Sequence, residues 1–284
     1  QTMSRYLAAA IQMDTQDDRE ENFRTLEKLI AQAAEQGAKL ICMPECVTYL
    51  GRNIADAAEE VPGGPSFRFF SAQAKRHGVW LHCGSIYEKS GDQRPYNCTM
   101  LLNPQGELVA RYRKLHPFDV VLPNGTSVRE SDTIRPGDSI VTAQAGRLGR
   151  LGFAICYDMR FGELFRLMAL EGAQLFVVPA NFTLATGKDH WLPLLRARAI
   201  ENGCYVIAPG QIGKKPQFEA FGHSLIIDPW GTVTACASHR PGVVLAEIDL
   251  DLEQQVRRQL FTLENRREDL YTLARKAPGE GSQG

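Results

Sequence analysis

An excess of either charge is missing from this chain: 32 lysines and arginines stand against 33 aspartates and glutamates, a formal net charge of −1 at pH 7 in 284 residues. Proteins that hold nucleic acid or a membrane surface carry a basic excess, so no nucleic-acid or membrane partner is expected. Long apolar runs are missing too. None reaches the ~18 residues a bilayer span needs. The N-terminus lacks the basic, apolar, small-residue order of a secretory signal, and Met3 reads as the natural start. Cysteine shows no paired spacing. The seven cysteines are odd in number and scattered singly through apolar runs, which argues against a disulfide framework and for a reducing, cytoplasmic compartment. Cys42-x-x-x-Cys46 has the look of half a metal site, but no second Cys/His pair of suitable spacing accompanies it, so no metal is expected. No solenoid-period repeat, low-complexity core or interdomain linker interrupts the chain. One domain over residues 3–276 is expected, followed by a Gly/Ser-rich tail, 277–284, expected to be disordered.

What the chain does have is 44% hydrophobic residues, enough for one large core or two modest ones. They fall into alternating strand and helix patterns. Tyr6–Ile11 reads as a strand. Glu21–Gln36 reads as a helix with Phe23, Leu26, Ile30 and Ala33 on one face and Gly37 as its stop. Strands are expected at Leu40–Met43, Val79–Ile86, Asn97–Leu102 and Leu108–Tyr112, and a helix at Ser66–Arg76. The segment Pro117–Pro136 is polar and aperiodic, long for a bland connector. Beyond it the alternation resumes: strands at Leu151–Ile155, Leu175–Val178, Cys204–Ala208, His223–Ile227, Thr232–Cys236 and Val243–Ile248, with helices at Phe161–Leu170 and Lys188–Glu201. This order is α/β, with sheets covered by helices. The pattern alone leaves open whether one doubly wound sheet or two packed sheets result.

Three apolar runs end at chemically useful residues. Leu151-Gly152-Phe153-Ala154-Ile155 stops at Cys156, and a helical pattern follows, so turn N–H groups and a helix N-terminus are expected to favour a thiolate there. Leu40-Ile41-Cys42-Met43-Pro44 stops at Glu45. The pair of strands before Arg111-Tyr112-Arg113 leads to Lys114. Singly, each reads more readily as a packed thiol or a solvated charge. Together, in the order Glu, Lys, Cys, they are far more specific.

With these residues the chain resembles the nitrilase superfamily of carbon–nitrogen hydrolases. The matching segments are Met43-Pro44-Glu45, Tyr112-Arg113-Lys114-Leu115-His116 and Ile155-Cys156-Tyr157-Asp158-Met159-Arg160-Phe161. The likeness runs from about Leu7 to about Tyr271. Later segments, among them His190-Trp191, Gly222-His223-Ser224 and Asp228-Pro229-Trp230-Gly231, are most similar to the branch holding ω-amidase and deaminated glutathione amidase, the second being nearer. Gly162 departs from that branch, which has proline after Arg-Phe. The resemblance implies a four-layer αββα sandwich paired into a homodimer or higher homo-oligomer. It also implies a Glu45, Lys114, Cys156 triad needing no cofactor, and a second glutamate, Glu130, lining the active site.

The chemistry such a triad supports is amide hydrolysis. Glu45 would serve as general base, Cys156 as nucleophile, and Lys114 with the Tyr157 N–H as receivers of negative charge. The expected substrate is a small linear amide bearing a carboxylate. Arg160 could hold that carboxylate in a two-pronged fashion or pair with Asp158 or Glu163. Phe182 and Thr186 match pocket positions of the ω-amidase branch, though Phe182 reads equally well as core. Two other readings stand beside this one. The first is a nitrilase, carbamoylase or acyl-transferring sibling using the same triad, although Ile155-Cys156-Tyr157-Asp158 looks less like the aromatic-Glu pattern of nitrile-cleaving members. The second is a non-catalytic interaction protein on the same fold, against which the intact triad argues.

Overall fold

Alternation of side chains along the strands decides the layering. In the computed structural model, which describes residues 4–276, Ala8, Ala10, Leu40 and Cys42 pack into a core shared with a second sheet. Their neighbours Ala9, Ile11, Ile41 and Met43 face the other way, onto Leu26, Ile30 and Ala33 of the helix Arg19–Glu35 and Phe70 and Ala74 of the helix Pro65–His77. Period-2 burial of both faces is what a sheet between a helical layer and another sheet requires. In the second sheet Phe153 faces the first, stacking on His82, while Phe176 turns the other way onto Phe165 of the helix Gly162–Leu170, beside which Trp191, Leu195 and Ala199 of the helix Leu184–Asn202 are buried. The result is the αββα sandwich.

The first sheet runs in the order Gly242–Asp249, Arg5–Gln12, Ala38–Cys42, Trp80–His82, Tyr96–Leu102, Ile86–Glu88, with Leu108–Arg113 also pairing Tyr96–Leu102. The second runs Val233–Cys236, Leu225–Ile227, Tyr205–Ala208, Leu175–Val177, Arg150–Phe153, Thr142–Gln144. In each, three consecutive strands are parallel: Arg5–Gln12, Ala38–Cys42 and Trp80–His82 in one, Arg150–Phe153, Leu175–Val177 and Tyr205–Ala208 in the other. Their carboxyl ends carry Glu45, Cys156 and Asn181, at the place where open α/β sheets hold ligands.

Four expectations change. The single strand Val79–Ile86 is two, Trp80–His82 and Ile86–Glu88, broken at Gly84. Gly84 has φ +57°, and a Cβ there would stand 2.0 Å from the Pro44 carbonyl oxygen. Only glycine lets this bend approach the segment that carries Glu45. The aperiodic segment Pro117–Pro136 contains a short hairpin, Asp119–Val121 with Ser127–Arg129, and a tight turn at Glu130–Asp132. The helix expected from Lys188 begins at Leu184, because Thr183 caps it by accepting the Thr186 N–H. An unforeseen helix, Leu250–Leu260, starts where the Asp249 carboxylate accepts the Asp251 and Leu252 N–H groups. The expected disordered tail, 277–284, lies outside the described residues.

Candidate active site

Glu45 is fixed from three directions. The strand Ala38–Cys42 delivers it, and the following N–H, that of Cys46, donates to Ser85 Oγ at 2.9 Å. Its Oε1 accepts from Asn97 Nδ2 at 2.9 Å and Lys114 Nζ at 3.1 Å, and its Oε2 accepts the Asn181 N–H at 2.7 Å. Only 3% of Glu45 is exposed. A carboxylate so held is oriented before any substrate arrives.

Lys114 comes from the end of the hairpin strand Leu108–Arg113, where its N–H donates to the Asn97 carbonyl at 2.9 Å. Its ammonium donates to Glu45 and, at 2.9 Å, to Glu130 Oε1. An ammonium has three donors, so one is left to meet a cavity occupant. Burial alone would lower its pKa, but Glu130 and Glu45 outweigh that and hold it well above the usual lysine range. Glu130, pushed up by burial and by Glu45 against the opposing pull of Lys114, also accepts the Phe118 N–H at 3.3 Å.

Cys156 follows the strand Arg150–Phe153 at φ +46°, and Cys46, next to Glu45, stands at φ +53°. Left-handed backbone at non-glycine residues costs on the order of 1–3 kcal/mol and persists where surrounding bonds over-determine it. Those bonds are present. The Cys156 N–H donates to the Pro179 carbonyl at 2.9 Å. Fully buried Asp158 accepts the Ile155 N–H (2.9 Å), the Tyr112 hydroxyl (2.5 Å), the His116 N–H (3.1 Å) and His116 Nδ1 (2.6 Å). Asp158 therefore ties the turn of Cys156 to the strand end of Lys114, since Tyr112 and His116 flank that lysine by two residues on each side.

The thiolate expectation needs correction. A tight turn, Cys156–Arg160, separates the sulfur from the α-helix, which begins only at Gly162. Burial and the facing Glu45 carboxylate raise the thiol well above the usual cysteine range, outweighing Lys114. The surroundings thus favour the thiol over the thiolate, with the Glu45 carboxylate facing the sulfur.

Glu45, Lys114, Glu130, Cys156, Tyr157, Phe182 and Thr186 all line one cavity of about 280 Å³. Arg160 is not in its lining. Its guanidinium contacts His190 Nδ1 at 3.2 Å and lies over the Phe182 ring, 5.3 Å from its centre. It pairs with neither Asp158 nor Glu163 among the described residues. Phe182 serves both readings, packing on Trp191 in the core while presenting to the cavity. Sequence reasoning missed Asn97 and Asn181. Asn181 sits after its strand as Glu45 and Cys156 sit after theirs, a positional signal that was available. Asn97, within the run Tyr96–Leu102, offered none. Among the described residues no group of three or more His, Cys, Asp or Glu side chains is placed to hold a metal ion, and no helix is long and apolar enough to cross a membrane.

A model of the carbon-nitrogen hydrolase family matches residues 7–258. The mouse protein named deaminated glutathione amidase is 42% identical over 272 residues, covering 93% of this chain and 84% of its own. A Synechocystis protein of the same name is 42% identical over 270 residues, covering 93% of this chain and 99% of its own. Among solved structures, the C. elegans NitFhit protein matches with a TM-score of 0.89 at 36% identity, over 96% of this chain and 68% of that one. Nit3 of Saccharomyces cerevisiae, described as a member of branch 10 of the nitrilase superfamily, matches with a TM-score of 0.83 at 28% identity, over 93% of this chain and 97% of its own.

Proposed function

Since the chain belongs to the carbon–nitrogen hydrolase family, we propose that it is an amidase that cleaves small linear amides bearing a carboxylate, by way of a thioester on Cys156. The observation that carries this reading is the Glu45–Lys114 pair, hydrogen-bonded at 3.1 Å and lining one cavity with Cys156. The relatives named deaminated glutathione amidase support a substrate of that kind.

The steps follow from where charge develops. Glu45 takes the proton of Cys156 as the sulfur attacks the amide carbon. Negative charge gathers on the former carbonyl oxygen, within reach of the free Lys114 donor and of the Tyr157 N–H, which makes no hydrogen bond among the described residues. Collapse of this intermediate breaks the C–N bond, and ammonia leaves with the proton returned by Glu45. Water, losing a proton to Glu45, then attacks the thioester; the thiol is regained and a carboxylic acid departs. Glu130 holds the ammonium in place. Phe182 and Thr186 shape the wall, and Arg160 acts through Phe182, over whose ring its guanidinium lies.

Cys156→Ala is expected to abolish ammonia release, and mass spectrometry of the intact wild-type enzyme mixed with amides is expected to trap an acyl adduct on Cys156. Full activity in the alanine variant would refute the mechanism. Homodimerisation in the cytoplasm belongs to the same proposal. What supports it is the exposure of large apolar side chains, Leu192 and Ile200 of the helix Leu184–Asn202 and Trp230, with Ile200 against Gly231 beside Trp230. Light scattering on the eluting protein tests it, a monomer mass counting against.

A further inference from the structure

Two arginines on the cavity wall have no part in the chemistry at its floor. Arg52, in the loop seven residues beyond Glu45, lines the cavity and is exposed, with no ion pair or hydrogen bond among the described residues. Arg129 lines it too; Asp119 faces it across the hairpin, and its one ion pair among the described residues is with Asp132, at 3.6 Å, both side chains 65% exposed. Such a pair holds its partners weakly. The third basic wall residue outside the floor, Lys215, is already engaged: its nearly buried ammonium donates to Asp14 at 2.8 Å and to the Thr15 carbonyl at 2.9 Å.

The floor carries the opposite balance. Glu45 and Glu130 share the one ammonium of Lys114, two carboxyl groups to one cation where the amide must sit. A free carboxylate on the substrate is repelled from there and drawn to the mouth. Between floor and mouth the wall is apolar, with Leu50, Ile134, Phe118 and Phe182. Arg129 and Glu130 are consecutive, so one backbone segment supplies a floor carboxylate and a mouth guanidinium. The ligand profile is an uncharged amide, an apolar linear spacer and a terminal anion.

We infer that Arg52 and Arg129 form a carboxylate subsite at the cavity mouth that selects linear amides ending in a carboxylate. The inference rests on the proposed amidase reading of the floor. The test compares two amides of equal length, glutaramate and the uncharged pentanamide, on the wild type and on an Arg52→Gln/Arg129→Gln double variant. Wild type is expected to favour glutaramate. In the variant, kcat/KM for glutaramate should fall about tenfold or more, chiefly through KM, since a guanidinium–carboxylate bond is lost. Activity on pentanamide should hold steady, which also reports that the variant is folded. Equal losses on both amides, or none, would overturn the subsite. If wild type hydrolyses neither amide, the amidase reading fails separately, and the subsite is then decided by calorimetry with glutarate. Binding weakened about tenfold in the double variant upholds it, and unchanged binding overturns it.

Discussion

His82 makes the fold acid-sensitive at the base of the active site. Its ring is fully buried between the sheets, stacked on Phe153 with centroids 5.6 Å apart, and neither ring nitrogen finds a hydrogen-bond partner outside its own residue. Burial depresses its pKa from 6.5 to about 3. The sign follows from proton counts. Between 6.5 and about 3 the unfolded chain binds a proton that the native state refuses, so unfolding free energy falls as pH falls, by about 1.4 kcal/mol per pH unit. From neutral pH down to about pH 4.5 this amounts to about 3 kcal/mol, a large share of a typical domain's stability. The carbonyl of His82 accepts the Met43 N–H at 3.1 Å, two residues before Glu45, and Phe153 lies three before Cys156, so the acid-labile contact underlies the strands that lead to both residues. His82→Leu keeps the volume and removes the proton site. Urea unfolding of both proteins at pH 7 and about pH 4.5 should show the variant gaining about 3 kcal/mol relative to wild type on acidification. A difference between the two proteins that does not change with pH would refute the reasoning, whatever its size at pH 7.

Two further outcomes are expected. Lys114→Met removes an oxyanion donor and leaves Glu45 and Glu130 facing each other, so kcat should drop roughly 100- to 1,000-fold; a variant within a few fold of wild type would exclude Lys114 from charge stabilisation. Asp158→Asn turns an amide NH₂ toward one of the two donor pairs now meeting the carboxylate, so stability should fall by about 1–3 kcal/mol, and kcat should fall with little change in KM. Urea midpoints and steady-state rates both unmoved would show that the turn of Cys156 does not depend on it.

The α/β alternation was legible because its strands bury both faces and its helices bury one; the two-sheet layering came from the family resemblance and not from the pattern. Leu26, Ile30 and Ala33 announce the first helix by their spacing, and the glycine after it ends it. What the pattern could not give was any boundary set by a contact distant in sequence. Gly84 reads as an ordinary residue of an apolar strand until the Pro44 carbonyl is seen 2.0 Å from where its Cβ would be. The helix Leu250–Leu260 did carry a signal, Leu252, Val256 and Leu260 at successive four-residue steps, but its largely polar composition masked it.

The site divides along a similar line. Glu45, Lys114 and Cys156 were legible because each follows a strand-like run, and the two packed sheets bring those strand ends to one cavity. The groups that orient them were not, because orientation is made by partners far along the chain: Asn97 is 52 residues from Glu45, and Tyr112 is 46 from Asp158. Arg160 shows the converse error. Four residues from Cys156 looks close, yet the turn Cys156–Arg160 ends with its guanidinium against His190 and the Phe182 ring and outside the cavity lining. Arg52, more than a hundred residues from Cys156, lines the same cavity. In the proposed reaction the chemistry falls to three residues that each follow a strand, and substrate selection to loops that the two sheets bring together around the same cavity.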